Sequence, residues 1–175
     1  MRSLLRSWLQ LPQSETGENQ RALRQLLDAL DRQEPERAKY LARFAYLLGR
    51  VAHADQHVSQ DETRVMEQLL EREGALPPEQ AMLVVGLAKT SNLLFGGTDN
   101  FLVAREFADA ATHDQKMALL RCLFAVSAVE GDISIAEERE LQRIARELRI
   151  EHADLVRLRL EYLHQLPGLT NRTKE

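Results

Sequence analysis

Residues 46–66 read Tyr-Leu-Leu-Gly-Arg-Val-Ala-His-Ala-Asp-Gln-His-Val-Ser-Gln-Asp-Glu-Thr-Arg-Val-Met, and residues 121–141 read Arg-Cys-Leu-Phe-Ala-Val-Ser-Ala-Val-Glu-Gly-Asp-Ile-Ser-Ile-Ala-Glu-Glu-Arg-Glu-Leu. The two align without a gap at an offset of 75: Leu48 meets Leu123, Val51 meets Val126, Ser59 meets Ser134, Glu62 meets Glu137 and Arg64 meets Arg139. Asp55 meets Glu130, a chemical match. In both, Ser-x-x-Glu forms a capping box: the serine hydroxyl accepts from the backbone N–H three residues on, and the glutamate reaches back to the serine N–H. Each unit therefore reads helix, acid, short loop, capping box, helix. The repeat predicts two helix pairs packed about a pseudo-twofold axis, with Val51 and Val126 both buried.

Outward from the repeat, the same periodicity continues. Leu23, Leu26, Leu27 and Leu30 share one face of a helix from about Gln20 to Asp31. Pro35 opens the helix that carries Tyr40, Leu41, Phe44, Leu47, Leu48 and Val51. The helix after Ser59 carries Val65, Met66, Leu69 and Leu70 and stops at Gly74, read as a left-handed cap. Pro77-Pro78 starts another, Gly96-Gly97 breaks the chain, and Thr98 caps a helix with Phe101, Leu102, Phe107 and Ala108. Thr112-x-x-Gln115 is a third capping box. A last helix runs from about Ala153 to Gln165, ended by Pro167-Gly168. No stretch alternates with period two, so the fold class is all-α: a compact bundle of about eight helices.

Residues 1–18 form an N-terminal amphipathic helix and linker, 19–166 the helical domain and 167–175 a flexible tail. Leu4, Leu5, Trp8 and Leu9 lie opposite Arg2 and Arg6. That face docks on the body, or makes a peripheral contact with a membrane surface or a partner groove.

Composition bounds the function. Apolar residues make up 44% of 175, enough for a real core. The net charge of −4 lacks the basic surface that phosphate backbones need, so nucleic acid is not an expected partner. Cys122 is the single cysteine, which excludes an intramolecular disulfide and fits a reducing compartment. The N-terminus has no continuous apolar region of signal-peptide type, and no apolar run is long enough to span a membrane. A cytoplasmic placement follows.

No nucleophile–base–orienter set, phosphate-binding glycine loop or haem or flavin motif is present, and an enzyme is not expected. His53 and His57 have the i, i+4 spacing of a zinc pair, but the helix ends between them. The acids are the candidate site. Asp55 and Glu130 fall at or just past a helix C-terminus, where a negative charge opposes the macrodipole at a cost of about 0.3–1 kcal/mol. Two compensations are open. Arg50, Arg64 or Arg139 forms a salt bridge, or a divalent cation is held by Asp55 and Glu62 in one half and by Glu130 and Glu137 in the other. Asp61 and Glu138 would be further donors. All-oxygen ligands favour Ca²⁺ or Mg²⁺, and the loop is too short for an EF-hand. For Glu62 and Glu137, helix capping is a sufficient explanation.

His53-Ala54-Asp55-Gln56-His57-Val58-Ser59 with Glu62, and Val129-Glu130-Gly131-Asp132-Ile133-Ser134 with Glu137, resemble the twice-used Ala-Asp-Gly-x-Ile-Ser-x-x-Glu motif of bacterial TerB-like domains. Thr98-Asp99-Asn100-Phe101, Arg105-Glu106-Phe107 and the stretch from Ile144 to Tyr162 are similar to the same family, so the resemblance covers about residues 36–163. It implies a compact helical fold with an acidic surface region. It also implies a role in tellurite resistance and stress, metal-dependent, exerted through other proteins, including membrane-associated stress-response components, or at the inner membrane. The family's acidic positions fall on Asp55, Glu62, Glu130 and Glu137. Gln56 stands where the motif has glycine, and Glu130 where it has aspartate.

Overall fold

Four helix starts, at Pro35, Pro78, His113 and Ile135, have a local chemical cause. The computed structural model describes residues 17–52, 60–90, 100–129 and 132–162. Among these are eight helices and no strand: α1 Gly17–Asp31, α2 Pro35–Ala52, α3 Gln60–Arg72, α4 Pro78–Lys89, α5 Asn100–Ala110, α6 His113–Ser127, α7 Ile135–Glu147 and α8 His152–Glu161. Glu34 precedes Pro35, and its Oε2 accepts from the backbone N–H groups of Glu36 at 3.1 Å and Arg37 at 3.0 Å. A carboxylate there also complements the helix dipole. Pro77 and Pro78 open α4. Both described capping boxes are complete. Gln115 N–H donates to Thr112 Oγ1 at 3.2 Å and Thr112 N–H to Gln115 Oε1 at 2.9 Å. Glu137 N–H donates to Ser134 Oγ at 3.2 Å and Ser134 N–H to Glu137 Oε2 at 2.8 Å.

The helix ends reproduce the repeat. α3 and α7 end at Arg72 and Glu147, 75 residues apart. Packing crosses between the halves, α2 against α7 and α3 against α6. Val51 is buried, whereas Val126 is only partly so. Ser134 is the observed N-cap, and Ser59 lies outside the described residues.

α2 is the central element. It packs against α1, α4, α5, α6 and α7, and Leu41, Phe44, Leu47 and Leu48 are fully buried along it. α4 is apolar nearly all round, with Ala81, Leu83, Val84, Val85, Leu87 and Ala88 buried. A Cβ on its Gly86 would sit 2.7 Å from Leu26 Cδ2, so the missing side chain lets α1 approach. α5 turns Val103, Ala104, Phe107 and Ala108 inward, and Leu102 is 55% exposed. Phe124 of α6 stacks on Tyr162 at 5.4 Å.

Three sequence expectations shift. α1 begins at Gly17 rather than Gln20, and α8 ends at Glu161 rather than Gln165. Gly74 is not the left-handed cap of α3; Ala75 is, at φ 49°. Gly74 serves a different need, because a Cβ there would lie 2.6 Å from Leu70 O and 3.1 Å from Cys122 Sγ. The segment 1–11, Thr98 and Gly96-Gly97 lie outside the described residues.

Candidate functional site

The candidate acids follow the ends of α2 and α6. Asp55 and Glu130, with His53 and His57, lie outside the described residues. Glu62 is in the first turn of α3, its side chain outside the described ones, as is that of Asp61. Glu137 is placed. Its Oε2 is committed to the capping box, and Oε1 has no partner among the described residues. Its neighbour Glu138 has one carboxylate oxygen engaged. Arg159 Nη2 of α8 forms an ion pair with Glu138 Oε1, and Gln142 Nε2 donates to the same oxygen at 3.1 Å. This pair links the last turn of α8 to the first turn of α7.

Arg50, a candidate partner for the loop acids, is committed elsewhere. Its guanidinium is 7% exposed and lies between two α7 carboxylates. Nε donates to Glu140 Oε1 at 2.8 Å, and Nη1 to Glu147 Oε2 at 2.6 Å. Burial works to lower the Arg50 pKa, but the hydrogen bonds and charges of Glu147 and Glu140 outweigh it and hold the group above its ordinary value. The positions 75 residues away are Ala125 for Arg50, and Val65 and Arg72 for Glu140 and Glu147. The clamp therefore crosses between the halves and has no counterpart at the equivalent positions. Arg64 and Arg139, the other candidate cations, are exposed.

Sequence reasoning missed this triad. The seven-residue spacing of Glu140 and Glu147 puts both on one helix face, which was the available sign. Ile133, fully buried next to the exposed Asp132, was also missed. Cys122 is buried as expected, and burial pushes its thiol up to about 12. Among the described residues no group of three or more His, Cys, Asp or Glu is arranged to hold a metal ion. No helix of the described residues is long and apolar enough to cross a membrane.

The family model of tellurite resistance protein TerB matches residues 41–160. No curated protein and no solved structure matches the chain. The matched span runs from the centre of α2 to the last turn of α8, and so takes in both repeat units, both acid loops and the Arg50 clamp. With more than half of its length matched, and with the eight-helix, strand-free architecture of its described residues, the chain belongs to the TerB family of tellurite resistance proteins.

Proposed function

We propose that this protein is a non-enzymatic accessory domain of the tellurite and stress response that binds a divalent cation, Ca²⁺ or Mg²⁺, at its acid loops. Asp55 and Glu62 are the ligands of one half, Glu130 and Glu137 those of the other. One observation carries the reading. The repeat carries through to the ends of α3 and α7, Arg72 and Glu147, and in sequence Asp55 and Glu130 come three positions after Ala52 and Ser127; a carboxylate just past a helix C-terminus opposes the dipole. Arg50, one turn before Asp55, is spent on Glu140 and Glu147. A cation supplies the missing positive charge, and the hard oxygen donors select its type. The domain acts in the cytoplasm through other proteins, and the arginine-bearing segment 1–11 gives it a peripheral membrane contact.

A second reading has its own observation. Glu137 already serves the capping box, and the exposed Arg64 and Arg139 lie two residues beyond Glu62 and Glu137. On that reading the acids are structural and the domain is a metal-independent interaction module. Calorimetric titration with Ca²⁺, Mg²⁺, Mn²⁺ and Zn²⁺ separates the two. Saturable heat with Ca²⁺ or Mg²⁺ is expected, and no heat with any of the four leaves the interaction module alone.

A further inference from the structure

The 75-residue offset reaches past the acid loops to the helices that follow them. At that offset α8, His152–Glu161, falls on residues 77–86, nearly all of them in α4. Val156 then meets Ala81, and Leu160 meets Val85. Ala81 and Val85 are fully buried, and α4 packs closely on α3. Val156 is 37% and Leu160 60% exposed, and α8 has no comparable backbone contact with α7. Long polar side chains join the two instead: Arg159 Nη2 pairs with Glu138 Oε1, to which Gln142 Nε2 also donates. Arg159 stands where α4 has the buried Val84. The second half therefore leaves uncovered the apolar positions that the first half closes.

The neighbouring face of α7 is basic. Ile135, Arg139, Arg143 and Arg146 are exposed, and their spacing of four, four and three residues puts them on one face. Ile135, Arg139 and Arg146 each lie three or four residues from Glu138 or Gln142, so this row borders the side that meets α8. Arg139 and Arg146 have no ion pair among the described residues. Arg143 reaches Glu140 at 3.5 Å, an acid that Arg50 already holds. The fold does not require the row. The equivalent exposed positions of α3 are Gln60, Arg64, Gln68 and Glu71, where one arginine is offset by one glutamate.

Uncovered apolar side chains beside a row of arginines call for a ligand that is apolar and acidic at once. We propose that α7 and α8 dock an acidic amphipathic helix of a partner protein. Its apolar stripe lies on Ile135, Val156 and Leu160, and its carboxylates meet Arg139, Arg143 and Arg146. The arginines span about 10 Å, two turns of α7, so carboxylates at the same spacing on a helix laid alongside match them. The chain's own segment 1–11 is a poor occupant, because its Arg2 and Arg6 would meet like charges. A flat anionic bilayer would press on the exposed Asp132 and Glu161, beside Ile135 and Leu160, as well as on the arginines. The surface does not depend on the cation reading.

The test is a ¹H–¹⁵N NMR titration of the full chain in EDTA. The probe is a synthetic stapled helix with leucines along one stripe and glutamates at i, i+4 and i+7 beside it. Saturable shifts of the Ile135, Arg139, Arg143, Arg146 and Leu160 amides are expected, and about tenfold weaker binding of the same helix with glutamine for glutamate. Arg143→Gln with Arg146→Glu puts on α7 the residues that α3 carries. This double variant is expected to weaken binding at least as much while the circular dichroism melt is retained, since both positions are exposed. Absence of saturable shifts, equal binding of the glutamine helix, or binding undiminished in the double variant would each overturn the proposal. Tighter binding to phosphatidylglycerol vesicles than to the helix, lost in the same variant, would overturn it in favour of a membrane surface.

Discussion

Arg50 Nη1 lies 2.6 Å from Glu147 Oε2, and this contact joins the helix before the first acid loop to the helix after the second. Both groups are largely shielded from water, at 7% and 13% exposure, so their separation is costly in a way that a surface pair's is not. Arg50→Met leaves Glu147 without its cation and Glu140 with only the more exposed Arg143 at 3.5 Å. The variant is expected to lose about 3–5 kcal/mol, read from urea unfolding midpoints. Adding Glu140→Leu and Glu147→Met is expected to recover much of the loss. A single variant as stable as the wild type shows that the clamp is not closed in solution.

Glu137 separates capping from ligation. Glutamine at this position of a capping box still reaches the Ser134 N–H. Glu137→Gln is therefore expected to keep wild-type stability within about 0.5 kcal/mol, whereas Ser134→Ala costs about 1 kcal/mol. If Glu137 also binds a cation, Glu137→Gln weakens calorimetric cation affinity at unchanged stability. Loss of stability in Glu137→Gln without metal contradicts the capping geometry.

Gly74 and Ala75 make an adjacent pair with opposite demands. A methyl at Gly74 would meet Leu70 O at 2.6 Å, a backbone atom that cannot turn aside. Gly74→Ala is expected to cost roughly 1–3 kcal/mol. Ala75 holds φ 49°, where an L-residue is strained by roughly 1–2 kcal/mol. Ala75→Gly relieves that strain, less the greater freedom glycine loses on folding, for a net gain under about 1 kcal/mol. Thermal melts of both variants check the signs, and equal shifts would mean that the left-handed residue is misassigned.

The helices were legible because their signs are local. Pro35, Pro77-Pro78 and the Thr112 and Ser134 boxes each mark a start by chemistry that acts within four residues, and all four stand where the sequence puts them. The gapless offset also carried through to the helix ends. Contacts made across the fold were not legible. Glu138 reads as a free acid until α8 brings Arg159 to it, and Arg50 reads as the natural partner of Asp55 until α7 claims it. A cleft beside Tyr40 joins the start of α2 to the α5–α6 corner, more than 60 residues further along the chain, and no local pattern announces it. Gly74 shows part of the same limit: its place at the end of α3 was readable, but the close approach of Cys122, beside the local one of Leu70 O, was not.

Cys122 links stability to alkaline pH. The thiol ionises near 9.0 when exposed and is pushed up to about 12 in the fold. Above pH 9 the unfolded chain sheds this proton and the folded chain keeps it, so stability falls as pH rises. Cys122→Ala is expected to melt lower at pH 8, where it leaves a small void, yet to show a shallower decline from pH 8 to 10.5. Thiol-reactive dye is likewise expected to label the wild type at the rate of unfolding. Rapid labelling of the native protein would mean that the thiol is open to solvent.

The acid loops give the sharpest test of function. Carboxylates gathered without a cation repel one another, and a bound divalent ion removes that cost. Stabilisation then follows RT ln(1 + [L]/Kd), about 2.7 kcal/mol at a hundredfold excess over Kd. Ca²⁺ or Mg²⁺ at millimolar concentration is expected to raise the wild-type Tm, and Asp55→Asn with Glu130→Gln to abolish the rise. The same double variant distinguishes the two readings before any metal is added. If the acids repel, it melts above the wild type in EDTA. If each faces an arginine, it melts below, because each substitution removes a favourable pair. A wild-type Tm indifferent to every metal, together with a destabilised double variant, would sink the cation reading and assign Asp55 and Glu130 to ordinary salt bridges.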